Sequence, residues 1–102
     1  MDVVNVAGFD WDAGNRAKCQ KHCVSVAEVE GLFDRPLLII PDTAHSQGEV
    51  RFRAIGKTAR GRSVFLVFTL RVGARKRFIR PVSARYMHRK EVIHYEKENP
   101  DV

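Results

Sequence analysis

Apolar positions along this chain change from a helical to a strand-like period at Pro36. Before it they recur at helical spacing, and after it they alternate or run together as in strands. A short strand is expected ahead of Phe9. Asp12 then fits an N-cap for a helix running to about His22, with Arg16, Lys18 and Lys21 on its exposed side. Ser25-Val-Ala-Glu28 has the spacing of a capping box and opens a second helix, whose buried stripe is Val26, Val29, Leu32 and Phe33. Asp34-Arg35-Pro36 ends it, because the residue before a proline resists helical geometry.

Strand patterns follow. Residues 37–40 (LLII) form a short apolar strand stopped by Pro41-Asp42. Residues 49–57 alternate, with Val50, Phe52 and Ala54 on one face and Arg51, Arg53 and Ile55 on the other. Arg60-Gly61-Arg62 signals a turn, and 63–71 (SVFLVFTLR) is the strongest strand pattern in the chain. After a turn at Gly73, residues 76–85 make a further strand, in which Pro81 demands an edge position or a bulge. Tyr86 to Asn99 reads as a closing helix. The expected fold is a single α+β domain over residues 1–102. In it a small antiparallel sheet packs with two N-terminal helices and one C-terminal helix.

Charge sharpens this picture. The chain has 102 residues, 18 Lys and Arg, 12 Asp and Glu, and a net charge of +6. Residues 1–50 hold four basic and eight acidic side chains (net −4), and the remainder hold fourteen and four (net +10). A polyanion is therefore expected to meet the second half. No apolar run approaches the roughly 20 residues of a membrane span, and the N-terminus lacks the pattern of a secretory signal. Two cysteines cannot build a disulfide scaffold, so a reducing cytoplasmic setting is expected. Cys19, His22 and Cys23 have no second ligand pair at zinc spacing, and no metal or other cofactor is expected.

Strand parity groups the candidate chemistry. Arg51 and Arg53 share a face, as do Thr69 and Arg71, and Ser83 and Arg85. Neighbouring strands can gather these guanidinium groups, which fork onto phosphate oxygens and stay charged; solvated strand ends are the plain alternative. Glu91 and Tyr95 stand one helical turn apart, a carboxylate and a phenol able to serve as acid and base or simply as a surface bond and a packed ring. His45 and Glu49 flank the start of the first basic strand, and a histidine titrates nearest neutrality.

Five blocks carry a family resemblance: FDWD (9–12), KHCVS (21–25), HSQGEVRFRAIG (45–56), GRSVFLVFTLR (61–71) and IRPVSAR (79–85), followed by Glu91-x-x-x-Tyr95. In this order they resemble the BrnT toxin family of the RelE/ParE-like superfamily. The resemblance implies a RelE-like fold and a metal-independent endoribonuclease that arrests translation through attack by the RNA 2′-hydroxyl. It implies a BrnA-like ribbon-helix-helix antitoxin as partner, operator DNA reached only through that antitoxin, and RNA as substrate, with the role of the ribosome open. By motif, Arg51, Arg71 and Arg85 are expected at the phosphate. The acid–base roles are expected among His45, Glu49, Glu91 and Tyr95. RNA contacts are expected from Arg53, Lys57, Arg62, Thr69, Arg80 and Ser83. A non-enzymatic inhibitor of a target such as gyrase, or an inactive corepressor, remains the alternative. The chain departs from many family members in two places: Cys23 stands where they have glycine, and Gly14-Asn15 where they carry lysine.

Overall fold

Each of the two N-terminal helices starts where a side chain can satisfy its free N–H groups. In the computed structural model, which describes residues 6–42, 50–73 and 75–98, the elements are β1 (Val6–Phe9), α1 (Ala13–Gln20), α2 (Val26–Leu32), β2 (Leu37–Pro41), β3 (Arg51–Lys57), β4 (Ser63–Val72), β5 (Arg77–Tyr86) and α3 (Arg89–Glu98). The Asp12 carboxylate accepts from the Asn15 backbone N–H at 2.9 Å, and Asn15 Oδ1 accepts from the Asp12 N–H at 2.7 Å, a reciprocal cap. Ser25 and Glu28 form the expected capping box on α2. Asn15 is also buried, and its amide donates to the carbonyls of Asp10 and Pro81 at 2.9 Å each, tying α1 to β5.

The five strands lie in the order β1-β5-β4-β3-β2. From β2 to β5 the sheet is the expected antiparallel meander, but β1 joins the far edge parallel to β5. Parallel pairing follows from the connection: the chain leaves β1, packs two helices on one face and crosses the whole sheet before returning through the meander. Pro81 sits in a central strand. Phe68 pairs with Pro81 and Val67 with Ser83, so Val82 is skipped in a bulge that relieves the missing proline N–H.

The bulge also shifts strand parity. Ile79 and Pro81 before it, and Ala84 and Tyr86 after it, point toward α1 and α2; Phe78 and Arg80 before it, and Ser83 and Arg85 after it, point the other way. The core lies under α1 and α2, where Cys19, Val24, Val29 and Leu32 meet Phe52, Ala54, Val64, Leu66, Phe68, Ile79 and Ala84. A chain of rings runs through it: Phe9 to Phe33 and Phe33 to Phe68 edge-on at 5.5 Å each, and Phe68 stacked on Phe52 at 5.3 Å. Two details depart from the sequence pattern. Val50 precedes β3 and is 55% exposed rather than buried. Tyr86 ends β5 instead of opening α3, because it pairs with Val64 and its hydroxyl donates to Glu28 at 2.7 Å.

Cys23 turns the corner between α1 and α2 with φ of 67°, the left-handed region in which a Cβ is strained. Its thiol is exposed and free. Replacing Cys23 with glycine is expected to stabilise the domain by about 1 kcal/mol against urea unfolding, glycine's greater unfolded-state freedom partly offsetting the relieved strain. A loss of stability would show that the corner carries no strain.

Candidate functional site

The sheet face turned away from α1 and α2 gathers the cations. Cross-strand pairing arranges it in rows: Arg51, Thr69 and Arg80; then Arg53, Val67 and Ser83; then Ile55, Phe65 and Arg85; then Lys57 and Ser63. Arg71 and Phe78 pair on the same face one row beyond Arg51, Thr69 and Arg80. Arg80 and Arg85 are five positions apart and share this face only because of the bulge at Val82. Arg62 is not on it; its guanidinium lies over the Tyr86 ring at 3.6 Å, at the β3–β4 hairpin end.

Helix α3 covers one end of this face. The Arg85 guanidinium donates to both Glu91 oxygens, at 2.8 and 2.9 Å, and Lys57 meets Glu96 at 3.4 Å. Tyr95, 7% exposed, is buried on the α3 side and stands apart from the core cluster. The sheet therefore separates the expected phosphate ligands. Arg51, Arg71 and Arg80 lie toward the open end. Arg85 is opposite Phe65, six strand positions from Arg71, which is roughly 20 Å along the strand. Arg51 and Arg71 sit in adjacent rows of the open end, and Arg85 sits at the end that α3 covers.

The open end carries carboxylates that the sequence pattern did not flag. Arg71 Nη1 and Arg80 Nη1 meet Asp10 Oδ2 at 3.3 and 3.5 Å, and Arg80 Nη2 bonds Asp12. The Asn15 N–H, and after it Arg80, hold the Asp12 carboxyl below the usual range. The signal was present in FDWD, where Asp10 and Asp12 alternate in an extended segment and so share a side. In the middle row the Thr69 hydroxyl is buried without a hydrogen-bond partner among the described residues. His45 and Glu49 lie outside the described residues. Two recesses flank the arginines: one of about 510 Å³ between Asp12, Asn15, Lys18, Arg80 and Val82, and one of about 390 Å³ beside Arg71 and Phe78.

Electrostatics divides the acid–base candidates. Glu91 is held down to about 2, first by the Arg85 guanidinium and then by the His88 N–H. A carboxylate so stabilised neither gives nor takes a proton effectively near pH 7. Burial pushes the Tyr95 phenol up, keeping it protonated and fit only to donate. Because the Glu91 value lies below the ordinary 4.5, its grip on α3 is complete above pH 4.5 and is lost as pH falls through about 2. We expect the folded helix α3, followed by its amide protection factors, to hold from pH 8 to 5 and to move toward unfolded values only in that acid range. Movement centred near pH 6 would point to another group.

Among the described residues, no three His, Cys, Asp or Glu side chains converge as metal ligands. Nor is any helix long and apolar enough to cross a membrane. No curated protein matches the chain. A family model, that of the ribonuclease toxin BrnT of type II toxin–antitoxin systems, matches residues 11–91. That span takes in both N-terminal helices, strands β2 to β5, every arginine of the open face and Glu91. The chain belongs to the BrnT family of ribonuclease toxins, whose substrate is RNA and whose partner is an antitoxin.

Proposed function

We propose that this toxin cuts RNA internally without a metal ion, on the open end of the arginine face. The carrying observation is the row Arg51, Thr69 and Arg80 with Arg71 beside it. An RNA 2′-oxygen attacks the adjacent phosphorus, the bond to the 5′-oxygen breaks, and a 2′,3′-cyclic phosphate and a 5′-hydroxyl result. One group removes the 2′-proton and another delivers a proton to the leaving oxygen. The protein's main task is to stabilise charge on the phosphate oxygens, which fixed guanidinium groups do without a cation. Arg51 and Arg71 take the phosphate, while Thr69 and Arg80 with Arg53 and Ser83 position the strand. His45 carries the proton transfer with Glu49 beside it in the chain; its intrinsic pKa near neutrality supports that role. Tyr95, buried on α3 at the covered end, helps to hold that helix in place. Lys57 and Arg62 extend the basic surface toward the hairpin end.

Arg85 acts as a positioning residue through Glu91, since both its forks are engaged there. Arg85→Glu and Glu91→Arg are each expected to lower kcat while leaving KM for RNA unchanged, and the two together to restore most of the rate. If Arg85 contacted phosphate directly, the double variant would stay as poor as Arg85→Glu alone.

The antitoxin partner is a BrnA-like ribbon-helix-helix protein that covers the cationic face and links the toxin to operator DNA. The setting is the cytoplasm, and the ribosome enters as a platform if cleavage requires it. Primer extension on RNA incubated with purified toxin, with and without EDTA and with and without ribosomes, tests the reading. Discrete cuts that persist in EDTA are expected. Cuts abolished by EDTA would overturn metal independence, and no cuts with inhibited supercoiling would replace a ribonuclease with a gyrase inhibitor.

A further inference from the structure

The recess beside Arg71 contains two side chains that the cleavage chemistry leaves unused. Phe9, Asp10, Arg71, Val72, Gly73 and Phe78 line it around about 390 Å³. Phe78 is half-buried and stands directly opposite Arg71 on the arginine face. Gly73 leaves its ring uncovered: a Cβ there would lie 3.8 Å from Phe78 Cε2, so any longer side chain would extend over the ring. Asp10 is anchored through its backbone, which donates to the Ile79 carbonyl at 2.8 Å. Its contacts with Arg71 (3.3 Å) and Arg80 (3.5 Å) both fall on Oδ2. Oδ1 carries no ion pair among the described residues, so the two side chains that line the recess supply, in order, the acceptors Oδ1 and Oδ2 and then the Arg71 guanidinium.

That order matches one nucleobase edge. Guanine presents N2–H, N1–H and O6 in sequence, two donors followed by an acceptor. Uracil sets one donor between two acceptors, which a carboxylate repels. Adenine and cytosine each place an acceptor directly beside their amino group. Single-stranded RNA is read through such edges, with the base stacked on an aromatic or guanidinium plane. We propose that this recess is a guanine subsite adjoining the cleavage face. The base stacks on Phe78, donates N2–H and N1–H to Asp10 and accepts at O6 from Arg71. The proposal deepens the ribonuclease reading by naming the base next to the cut.

Mononucleotide binding to the intact toxin separates the two readings, because it requires no cleavage. The probes are guanosine, adenosine, cytidine and uridine 5′-monophosphates, titrated by NMR; their shared phosphate controls for attraction to the arginines. The guanosine nucleotide is expected to bind at least about 10-fold more tightly than the uridine one. Asp10→Asn, which sets an amide donor against the guanine donors, is expected to remove that preference. Phe78→Ala is expected to weaken every base by about 10-fold. Equal binding of all four nucleotides, or a guanine preference that survives Asp10→Asn, would overturn the assignment. If Asp10→Asn fails to fold, Gly73→Gln decides the matter from the exposed turn: lost guanosine binding supports the subsite, and retained binding overturns it. Failure of these titrations leaves the cleavage assay untouched, whereas failure of the cleavage assay leaves the base preference measurable.

Discussion

Arg51→Ala lowers the single-turnover rate of RNA cleavage by about 10²- to 10³-fold, the usual consequence of removing one fixed stabiliser of developing oxyanion charge. Arg51 stands at the start of β3, opposite Thr69 and in one row with Arg80. A substrate phosphate beside Thr69 would meet Arg51 from the flanking strand β3, about 4.8 Å from β4, and Arg71 two positions along β4. Alanine removes one of them. Lysine at position 51 returns the charge without the fork, and part of the rate is expected to return with it. The measurement is gel-resolved cleavage of a defined RNA, with circular dichroism to show that the variant is folded. A folded Arg51→Ala protein cutting within threefold of the parent rate would remove Arg51 from the chemistry and move the site elsewhere on the face.

Phe68→Ala has the largest expected effect on stability, a loss of about 3–5 kcal/mol. Its side chain is fully buried at the centre of β4, with Phe33 edge-on at 5.5 Å on one side and Phe52 stacked at 5.3 Å on the other. Removing the ring leaves a cavity bounded by sheet and helices, none of which can move in without losing its own contacts. Domains of this size hold roughly 5–15 kcal/mol in total, so the variant would sit near the edge of folding. Urea unfolding at unchanged m-value is the readout. A loss below about 1.5 kcal/mol would mean that the neighbouring rings close the gap.

Which candidates share a face within one regular strand was legible in the sequence; their rows, and the face of Arg80 across the bulge, were not. Alternation alone places Arg51 with Arg53 and Thr69 with Arg71. Register, set by turns and packing, decides that Arg51 neighbours Thr69 while Arg85 neighbours Phe65. The i, i+4 spacing of Glu91 and Tyr95 could be read directly. That Glu91 meets Arg85 depends on how α3 folds back after β5, and no local pattern encodes that angle. Tyr86 suits a strand end or a helix start equally well by pattern, and its bond to Glu28 in a distant helix resolves the choice. Cys23 stands where many family members carry glycine, and its φ of 67° is the backbone that glycine favours. Splitting the charge by halves hid one pairing: Asp10 and Asp12 belong to the acidic half, yet their partners Arg71 and Arg80 belong to the basic one.

Val82 carries a consequence for how this chain tolerates change. As the residue skipped in the β4–β5 ladder, it has no cross-strand partner on β4. Most substitutions there alter only a half-buried surface position. Deleting it would leave Pro81 and Ser83 as ladder neighbours on their present faces, whereas pairing it into a straight ladder would send Ser83 and Arg85 under the helices and turn Ala84 and Tyr86 out to solvent. Glu91 would lose the arginine that anchors α3, and Glu28 would lose its tyrosine. The bulge itself, rather than any particular side chain, holds the second half of the strand in phase with the first.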